Sequence, residues 1–145
     1  ITQIDKMIIH TKQNLLTDRF TSNFGHLISD MLNENSSDNS IRPQLELEEN
    51  EKNYLLKVSL PGLSKEEIDL SIEDNILTVS GELTKPVSKN STSLYSDIKY
   101  GKYSRKIRLP KGADSSQVEA VYTHGILHLT ITKSETVQPK KIEIK

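Results

Sequence analysis

The side chains that most often carry out chemistry are few in this sequence, and their spacing keeps them apart. The four histidines are His10, His26, His124 and His128. The last two are four residues apart, a spacing that would place two metal ligands on one face of a helix. Gly125 and an alternating, strand-like pattern lie between them, so the helical spacing does not apply. We therefore expect no metal site.

Nucleophilic and nucleotide-binding motifs are also missing from the sequence. There is no cysteine, so a thiolate can serve neither as a nucleophile nor as a metal ligand. The six glycines are scattered and form neither a serine nucleophile elbow nor a phosphate-binding loop. Adjacent acids are interpreted as solvated side chains on turns and not as a tuned acid and base pair; they are Glu48, Glu49, Glu51, Glu66 and Glu67. The sequence predicts no enzyme and no cofactor.

Overall composition narrows the class of protein further. The 145 residues suit one domain with appendages, and 34% hydrophobic with 5% aromatic residues leaves little material for a deep ligand pocket. The 19 basic and 20 acidic residues form no basic cluster, so nucleic acid is not an expected partner. No apolar run approaches the ~18 residues of a membrane span, and there is no signal-peptide core. The absence of cysteine fits a reducing compartment, and we expect a cytoplasmic protein.

Three residues have types and positions that favour binding over catalysis. Arg105 is in phase with Tyr103 and Ile107, so its charge falls on the apolar face of a strand and needs a carboxylate or carbonyl partner. Alternatively, Arg105 reaches water from a strand edge. Near the end of the chain, Ile142 and Ile144 are spaced two apart in an otherwise polar segment, which predicts a strand-like anchor.

The elements that must position these residues change along the chain, and the first is an amphipathic helix. Between Leu15 and Leu32 apolar residues recur every three or four positions. The apolar stripe consists of Leu16, Phe20, Phe24, Leu27, Ile28 and Met31. It either packs against its own domain or a sister subunit, or offers a surface to transient client proteins. Residues 33–40 form a polar linker that completes an N-terminal arm at residues 1–40.

Beyond the linker the apolar period changes from near 3.6 to two residues, which marks a change from helix to strand. Seven short strands are predicted within residues 41–133, each bounded by turn residues. Their alternating rows lie at residues 45–47, 54–60, 68–72, 76–81, 103–109, 118–122 and 127–131. Short strands at this spacing predict an all-β protein, an immunoglobulin-like antiparallel β-sandwich.

Two stretches interrupt this rhythm. Residues 83–102 are long and rich in Ser, Asn and Lys, longer than a compact domain usually leaves without secondary structure. Residues 134–145 form a polar C-terminal tail that contains Pro139 and carries the two isoleucines. The tail either binds another subunit, folds back on its own subunit or stays free.

Several motifs, in order, resemble those of the small heat-shock proteins, and the resemblance spans about Arg42 to Ile144. The motifs are Leu60-Pro61-Gly62-Leu63 followed by Ser64 to Ile68, Val79 to Glu82, Gly101 to Arg105 closed by Leu109-Pro110, Ala120 to Leu127, and Ile142 with Ile144. Each motif is weak alone, but their joint occurrence in the family's order is specific. The resemblance is to the bacterial and plant type.

The resemblance implies an α-crystallin domain at residues 41–133, with the helical arm before it and a short extended tail after it. In bacterial and plant relatives a strand within the long segment crosses to a partner and pairs beside its first strand. The candidates for that strand are Leu94, Tyr95, Ile98 and Tyr100, and the likely acceptor in the partner is marked by Leu45 and Leu47. Arg105 is implied to form an ion pair at the same dimer interface. The alternative for the segment is a mobile loop.

The resemblance also implies how dimers join into larger homo-oligomers. The tail isoleucines would enter a groove bordered by Ile68, Leu70, Ile72, Val118, Ala120 and Tyr122. The implied function is that of an ATP-independent chaperone, a holdase that binds partly unfolded client proteins, with the apolar stripe of the arm as a client-binding surface. The alternative is a monomeric co-chaperone or scaffold module that binds one folded partner.

Overall fold

The computed structural model describes residues 39–135 and 141–145. Within them the chain forms seven strands and one short 3-10 helix. These are β1 (Leu45–Glu49), β2 (Asn53–Ser59), the 3-10 helix (Lys65–Glu67), β3 (Ile68–Glu73), β4 (Ile76–Leu83), β5 (Gly101–Arg108), β6 (Ala113–Thr123) and β7 (Ile126–Lys133). The predicted helix of the arm lies outside the described residues.

The strands form two antiparallel sheets. One has four strands in the order β1-β2-β7-β6, and the other has three in the order β3-β4-β5. Strands β1, β6, β3 and β5 therefore lie at the edges of their sheets. The predicted all-β, immunoglobulin-like antiparallel sandwich is confirmed.

The core lies between the sheets and is built by strict alternation. In β2 and β7 every second side chain is buried while its neighbours are partly exposed, and β4 follows the same pattern from Ile76 to Val79. The largest fully buried side chains are Leu56, Val58, Leu60, Leu77, Val79, Ile107, Leu129 and Ile131. Burying each such side chain contributes roughly 1.5–3 kcal/mol, so these three central strands hold the domain together.

Tight turns join the hairpins. Asp74 and Asn75 both have positive φ, of 49° and 63°, which matches a two-residue hairpin turn between β3 and β4. Gly125, between β6 and β7, has φ +77°, and a Cβ there would lie 3.2 Å from the Cα of Pro61. The turn therefore requires glycine both for its conformation and for this close approach.

The observed strand bounds differ from the predicted rows by one or two residues at most strand ends, and by five at the start of β6. Strand β4 runs on to Leu83, and β5 stops at Arg108, so Leu109 is buried just after the strand. Strand β6 begins at Ala113, with an irregular register between Ala113 and Val118. The polar residues in this stretch carry no alternation, which is why the sequence pattern detected only the second half of β6.

Candidate functional site

Two half-exposed apolar rows lie on edge strands of the two sheets, and together, as the candidate groove border, we call them the edge groove. The β3 row is Ile68, Leu70 and Ile72, and the β6 row is Val118, Ala120 and Tyr122. Their register partners are Gly81, Val79 and Leu77 on β4 and Ile131, Leu129 and Leu127 on β7. Most of these partners are core residues, so both rows point between the sheets. These are the six residues that the resemblance implies as a groove border, and that role stays a prediction.

The edge groove is open because both of its strands are edge strands. Leu70 points inward yet is 39% exposed, whereas its neighbour Val79 on β4 is fully buried. Among residues 39–135 and 141–145, no further strand pairs with β3 or with β6 on the outer side. The groove therefore combines apolar side chains with unpaired backbone groups, the combination that an added strand requires.

Tyr122 ties the two edges of the groove together. Its hydroxyl oxygen lies 2.8 Å from the carbonyl oxygens of both Leu60 and Leu63, and it donates to one of them at a time. Both carbonyls belong to the connection that leads from β2 into β3. Burial raises the pKa of Tyr122, and the nearby Glu67 carboxylate raises it further. The end of β6 is thus fixed beside the start of β3.

The tail isoleucines are the most exposed aliphatic side chains near the end of the chain. Ile142 is 89% exposed and Ile144 is 98% exposed, and residues 141–145 form no helix or strand. In a single subunit these two side chains therefore bury almost none of their apolar surface.

The segment between β4 and β5, residues 84–100, is the second highly exposed apolar stretch, and it contains no strand or helix. Leu94 is 95% exposed, and Tyr95 and Ile98 are also exposed, while Tyr100 is half-buried. Val87, which was not singled out from the sequence, is exposed as well. Tyr95 donates a hydrogen bond to Asp97, which raises the pKa of the tyrosine.

Both ends of this segment contribute to an apolar cavity of about 670 Å³. Its walls include Pro61, Leu83, Pro86, Ile98, Tyr100 and Tyr103. Tyr103 holds the returning end of the segment, because its hydroxyl donates to the Lys99 carbonyl at 2.7 Å. Sequence reasoning did not detect this cavity, since its walls come from three separate stretches of chain.

Arg105 has the phase that the sequence predicted. It lies opposite Val79, so it points between the sheets, and one of its terminal nitrogens donates to the Pro43 carbonyl at 2.9 Å. Its buried Nε has no hydrogen-bond partner among the described residues. Burial lowers the pKa of the guanidinium, and the neighbouring Arg42 lowers it further. The partner within the subunit is thus a carbonyl.

The strands beside Arg105 form the other side of the sandwich. Leu45 and Leu47 lie on β1, opposite Val58 and Leu56, so they point inward and are half-buried. The outer edge of β1 pairs with no strand in the described part of the chain. The edge of β5 is partly covered, because the Ile41 amide donates to the Lys102 carbonyl at 2.8 Å.

A charged pair at one end of the core was not predicted. Glu49 was expected to be solvated on a turn, and that expectation is wrong: it ends β1, and its carboxylate lies 2.5 Å from the Lys133 ammonium. Lys133 is buried, and its ammonium lies 5.0 Å from the centre of the Tyr54 ring. Strand alternation places Glu49 on the same face as Leu47, and Lys133 on the same face as Ile131. The sequence pattern could therefore have placed both charged side chains on the inner face.

Glu48 was also assigned to a turn, and it too lies on β1. It points away from the core, 3.6 Å from the Lys57 ammonium, which also binds Glu46 at 2.7 Å. Glu67 accepts a hydrogen bond from the Ser64 amide at 2.7 Å, and this bond lowers the pKa of the carboxyl. These acids stabilise local structure.

Residues 39–135 and 141–145 contain neither a cluster of metal-ligand side chains nor a membrane-spanning helix. No group of three or more His, Asp or Glu side chains there could hold a metal ion. In the same residues, no helix has both the length and the apolar character needed to cross a membrane. The candidate client-binding stripe of the arm, from Leu16 to Met31, lies outside the described residues.

Known proteins match both the sequence and the fold. The model of the Hsp20/alpha crystallin family matches residues 46–145. Small heat shock protein C4 of Rickettsia felis is 35% identical over 137 residues, covering 93% of this chain and 84% of that protein. The 17.6 kDa class I heat shock protein of Glycine max is 37% identical over 114 residues, covering 76% and 72%.

Among solved structures, heat shock protein 16.0 from Schizosaccharomyces pombe superimposes with a TM-score of 0.70 and 28% identity. The superposition covers 86% of this chain and 93% of that one. The family match covers the sandwich from the second residue of β1 onward and the tail isoleucines, and both relatives are themselves heat shock proteins. The chain therefore belongs to the Hsp20/alpha crystallin family, the small heat-shock chaperones.

Proposed function

We propose that this protein is an ATP-independent holdase, which binds partly unfolded proteins in the cytoplasm and prevents their aggregation. The observation that carries the proposal is the exposure of large apolar side chains on an otherwise well-packed domain. They occur at the tail isoleucines, in the segment 84–100 and along the edge groove. Large apolar side chains exposed in groups, as at these three places, mark binding sites for other chains. Binding through such surface needs no nucleotide.

The first step of assembly is exchange of the segment 84–100 between two subunits. Leu94, Tyr95 and Ile98 bury little surface on their own subunit, so they gain by crossing to a partner. The outer edge of β1 offers the unpaired backbone groups that such a strand needs. Tyr100, Leu45 and Leu47 would lie at this dimer interface, with Arg105 close to β1 through its bond to the Pro43 carbonyl.

The second step joins dimers through the tail. Ile142 and Ile144 of one subunit would enter the edge groove of another, where Leu70 and the rest of the two apolar rows are half-exposed. Burying two Ile side chains contributes roughly 3–6 kcal/mol before the cost of ordering the tail is subtracted. Each contact is therefore weak and reversible, and many such contacts hold a large assembly together.

The reversible contact between the tail and the edge groove would allow the assembly to bind client proteins. When a tail leaves the edge groove, apolar side chains and unpaired backbone become accessible to a client. The arm stripe from Leu16 to Met31 would supply further apolar surface for clients. A client that is partly unfolded exposes the same kinds of group, so it competes for the same surfaces.

Light scattering of a heated client protein tests the proposal. We expect scattering to fall as this protein is added up to equimolar amounts, without ATP. Unchanged client aggregation at every ratio would contradict holdase activity.

Size-exclusion chromatography tests the assembly steps. We expect large species for the wild type and a shift toward dimers for Ile142→Ala with Ile144→Ala. The matched control is Val121→Ala, which removes an exposed apolar side chain from the outward face of β6, outside the tail, the segment 84–100 and the inward rows of the edge groove. A wild-type monomer would instead indicate a scaffold-type module that binds one folded partner.

A further inference from the structure

We propose that the tail of another copy of this chain adds as a strand to the free edge of β3 and not of β6. In this arrangement, Lys141 and Lys145 form ion pairs with Asp69 and Glu73 that fix a single register. The inference rests on the proposed insertion of the tail into the edge groove, and it specifies the strand and the register that receive it.

The outer face of β3 carries a spaced pair of acids. Asp69 and Glu73 alternate with the inward row and lie opposite Ser80 and Ile76 on β4. Both acids are exposed, and Ser71 lies between them on the same face. Neither acid forms an ion pair or a hydrogen bond with the described residues. The free edge of β3 therefore presents an acid, a hydroxyl and an acid in sequence.

The tail carries two basic residues with the same spacing as the two acids of β3. In an extended conformation, Ile142 and Ile144 point to one side, while Lys141, Glu143 and Lys145 point to the other. All five residues are exposed, so each is accessible to a second subunit. The two lysines are four residues apart, as are the two acids of β3.

In one alignment of the tail with β3, every tail residue lies opposite a β3 residue of matching chemistry. With Glu143 opposite Ser71, both lysines lie opposite acids, and the isoleucines lie beside Leu70 and Ile72 on the inner face. The pattern reads the same in both directions, so it fixes the register and leaves the strand direction open. Opposite charges on directly paired residues stabilise a sheet, and like charges there destabilise it.

Shifted registers are disfavoured by the same side chains. A shift of one residue would turn the isoleucines outward to water and the charges into the groove. A shift of two residues would place Glu143 directly opposite Asp69 or Glu73. Only the aligned register avoids both penalties.

The edge of β6 offers no equivalent match. Its outward residues Glu119, Val121 and Thr123 lie opposite Thr130, His128 and Ile126 on β7. If one tail lysine lies opposite Glu119, the other has two possible positions. In one register it lies opposite Thr123, and Glu143 then lies opposite Val121. In the other register it lies in the irregular stretch before Val118. Complementarity of charge therefore favours β3.

Charge reversal in the full-length chain tests the register, with assembly followed by native mass measurement over a range of protein concentrations. Reversing the acids (Asp69→Lys with Glu73→Lys) or the lysines (Lys141→Glu with Lys145→Glu) should raise the concentration needed for half-assembly by about ten-fold at low salt. Combining all four substitutions should restore assembly to within about three-fold of the wild type. The matched control, Glu119→Lys with Glu51→Lys, should leave it unchanged.

The outcomes separate this inference from the proposed function. If Ile142→Ala with Ile144→Ala disperses the assembly while neither charge reversal does, the tail enters the groove but the β3 register is wrong. Failure of the four-fold variant to recover would overturn the ion pairs in the same way. If the isoleucine variant keeps its large species, the proposed tail contact itself fails.

Disulfide trapping gives a second test that does not depend on charge. Because the chain has no cysteine, Ser71→Cys with Glu143→Cys introduces the sole pair of thiols. Under mild oxidation this variant should form disulfide-linked dimers at least several-fold faster than Val121→Cys with Glu143→Cys, which places the thiol on β6. Equal rates, or faster trapping on β6, would overturn the assignment of the tail to β3.

Discussion

The pair of buried Lys133 and partly exposed Glu49 yields a quantitative prediction about the end of the core. Lys133 is the last residue of β7, and its side chain is 9% exposed, while that of Glu49 is 30% exposed. Removing one partner from a fully buried pair costs about 3–5 kcal/mol, because the remaining charge stays in a poorly solvated place. Glu49 retains contact with water, so we expect Glu49→Gln to lower the free energy of unfolding by about 2 kcal/mol.

A double-mutant cycle isolates the pair from the rest of the core. Lys133→Met should also destabilise the domain, whereas Glu49→Leu with Lys133→Met replaces both charges by apolar groups and should come within about 1 kcal/mol of the wild type. The assay is urea denaturation at one fixed protein concentration, because assembly makes apparent stability depend on concentration.

The matched control is Glu46→Gln, which removes an exposed carboxylate that lies 2.7 Å from the Lys57 ammonium. Exposed pairs contribute little, so this variant should have an unchanged denaturation midpoint. If Glu49→Gln proved as harmless as Glu46→Gln, or if the double variant were less stable than either single one, the reasoning from burial would be refuted.

The remaining predictions concern the connection between β2 and β3. Tyr122→Phe removes the hydroxyl that binds the Leu60 and Leu63 carbonyls and should lower stability by about 1 kcal/mol in thermal unfolding, whereas Tyr95→Phe, on an exposed tyrosine, should not. The pKa of Glu67 is lowered by the Ser64 amide, so this bond stabilises the fold above the unfolded-state pKa and is lost as the pH falls through the folded-state pKa. The wild type should therefore exceed Glu67→Gln in stability at neutral pH and lose that advantage in acid; a constant difference would contradict this.

Much of the fold could be predicted because local pattern and global structure agree. The rows at Leu56, Leu77 and Leu129 alternate strictly, and the hairpin residues Asp74, Asn75 and Gly125 have the backbone angles that their types favour. The two inward rows of the candidate groove followed from the same alternation, as Leu70 and Tyr122 show, whereas their role as a groove for the tail came from the resemblance.

What could not be predicted depends on contacts between distant parts of the chain. Glu49 and Lys133 are 84 residues apart, so local alternation can place each charge on the inner face but does not show that the two charges pair. The carbonyl of Pro43 as the partner of Arg105 is hidden for the same reason. Residues 84–100 form no strand here, since a strand needs a neighbour to pair with and the described part of this subunit offers the segment none.

The cavity at the base of that segment has a consequence for small molecules. Pro86 contributes from its departing end, Ile98 and Tyr100 from its returning end, and Pro61 from the opposite turn. If residues 84–100 crossed to a partner subunit, as proposed, these cavity walls would separate. A drug-sized apolar compound bound there would therefore favour the self-contained subunit by mass action and should oppose exchange of the segment without contacting the edge groove or the tail isoleucines.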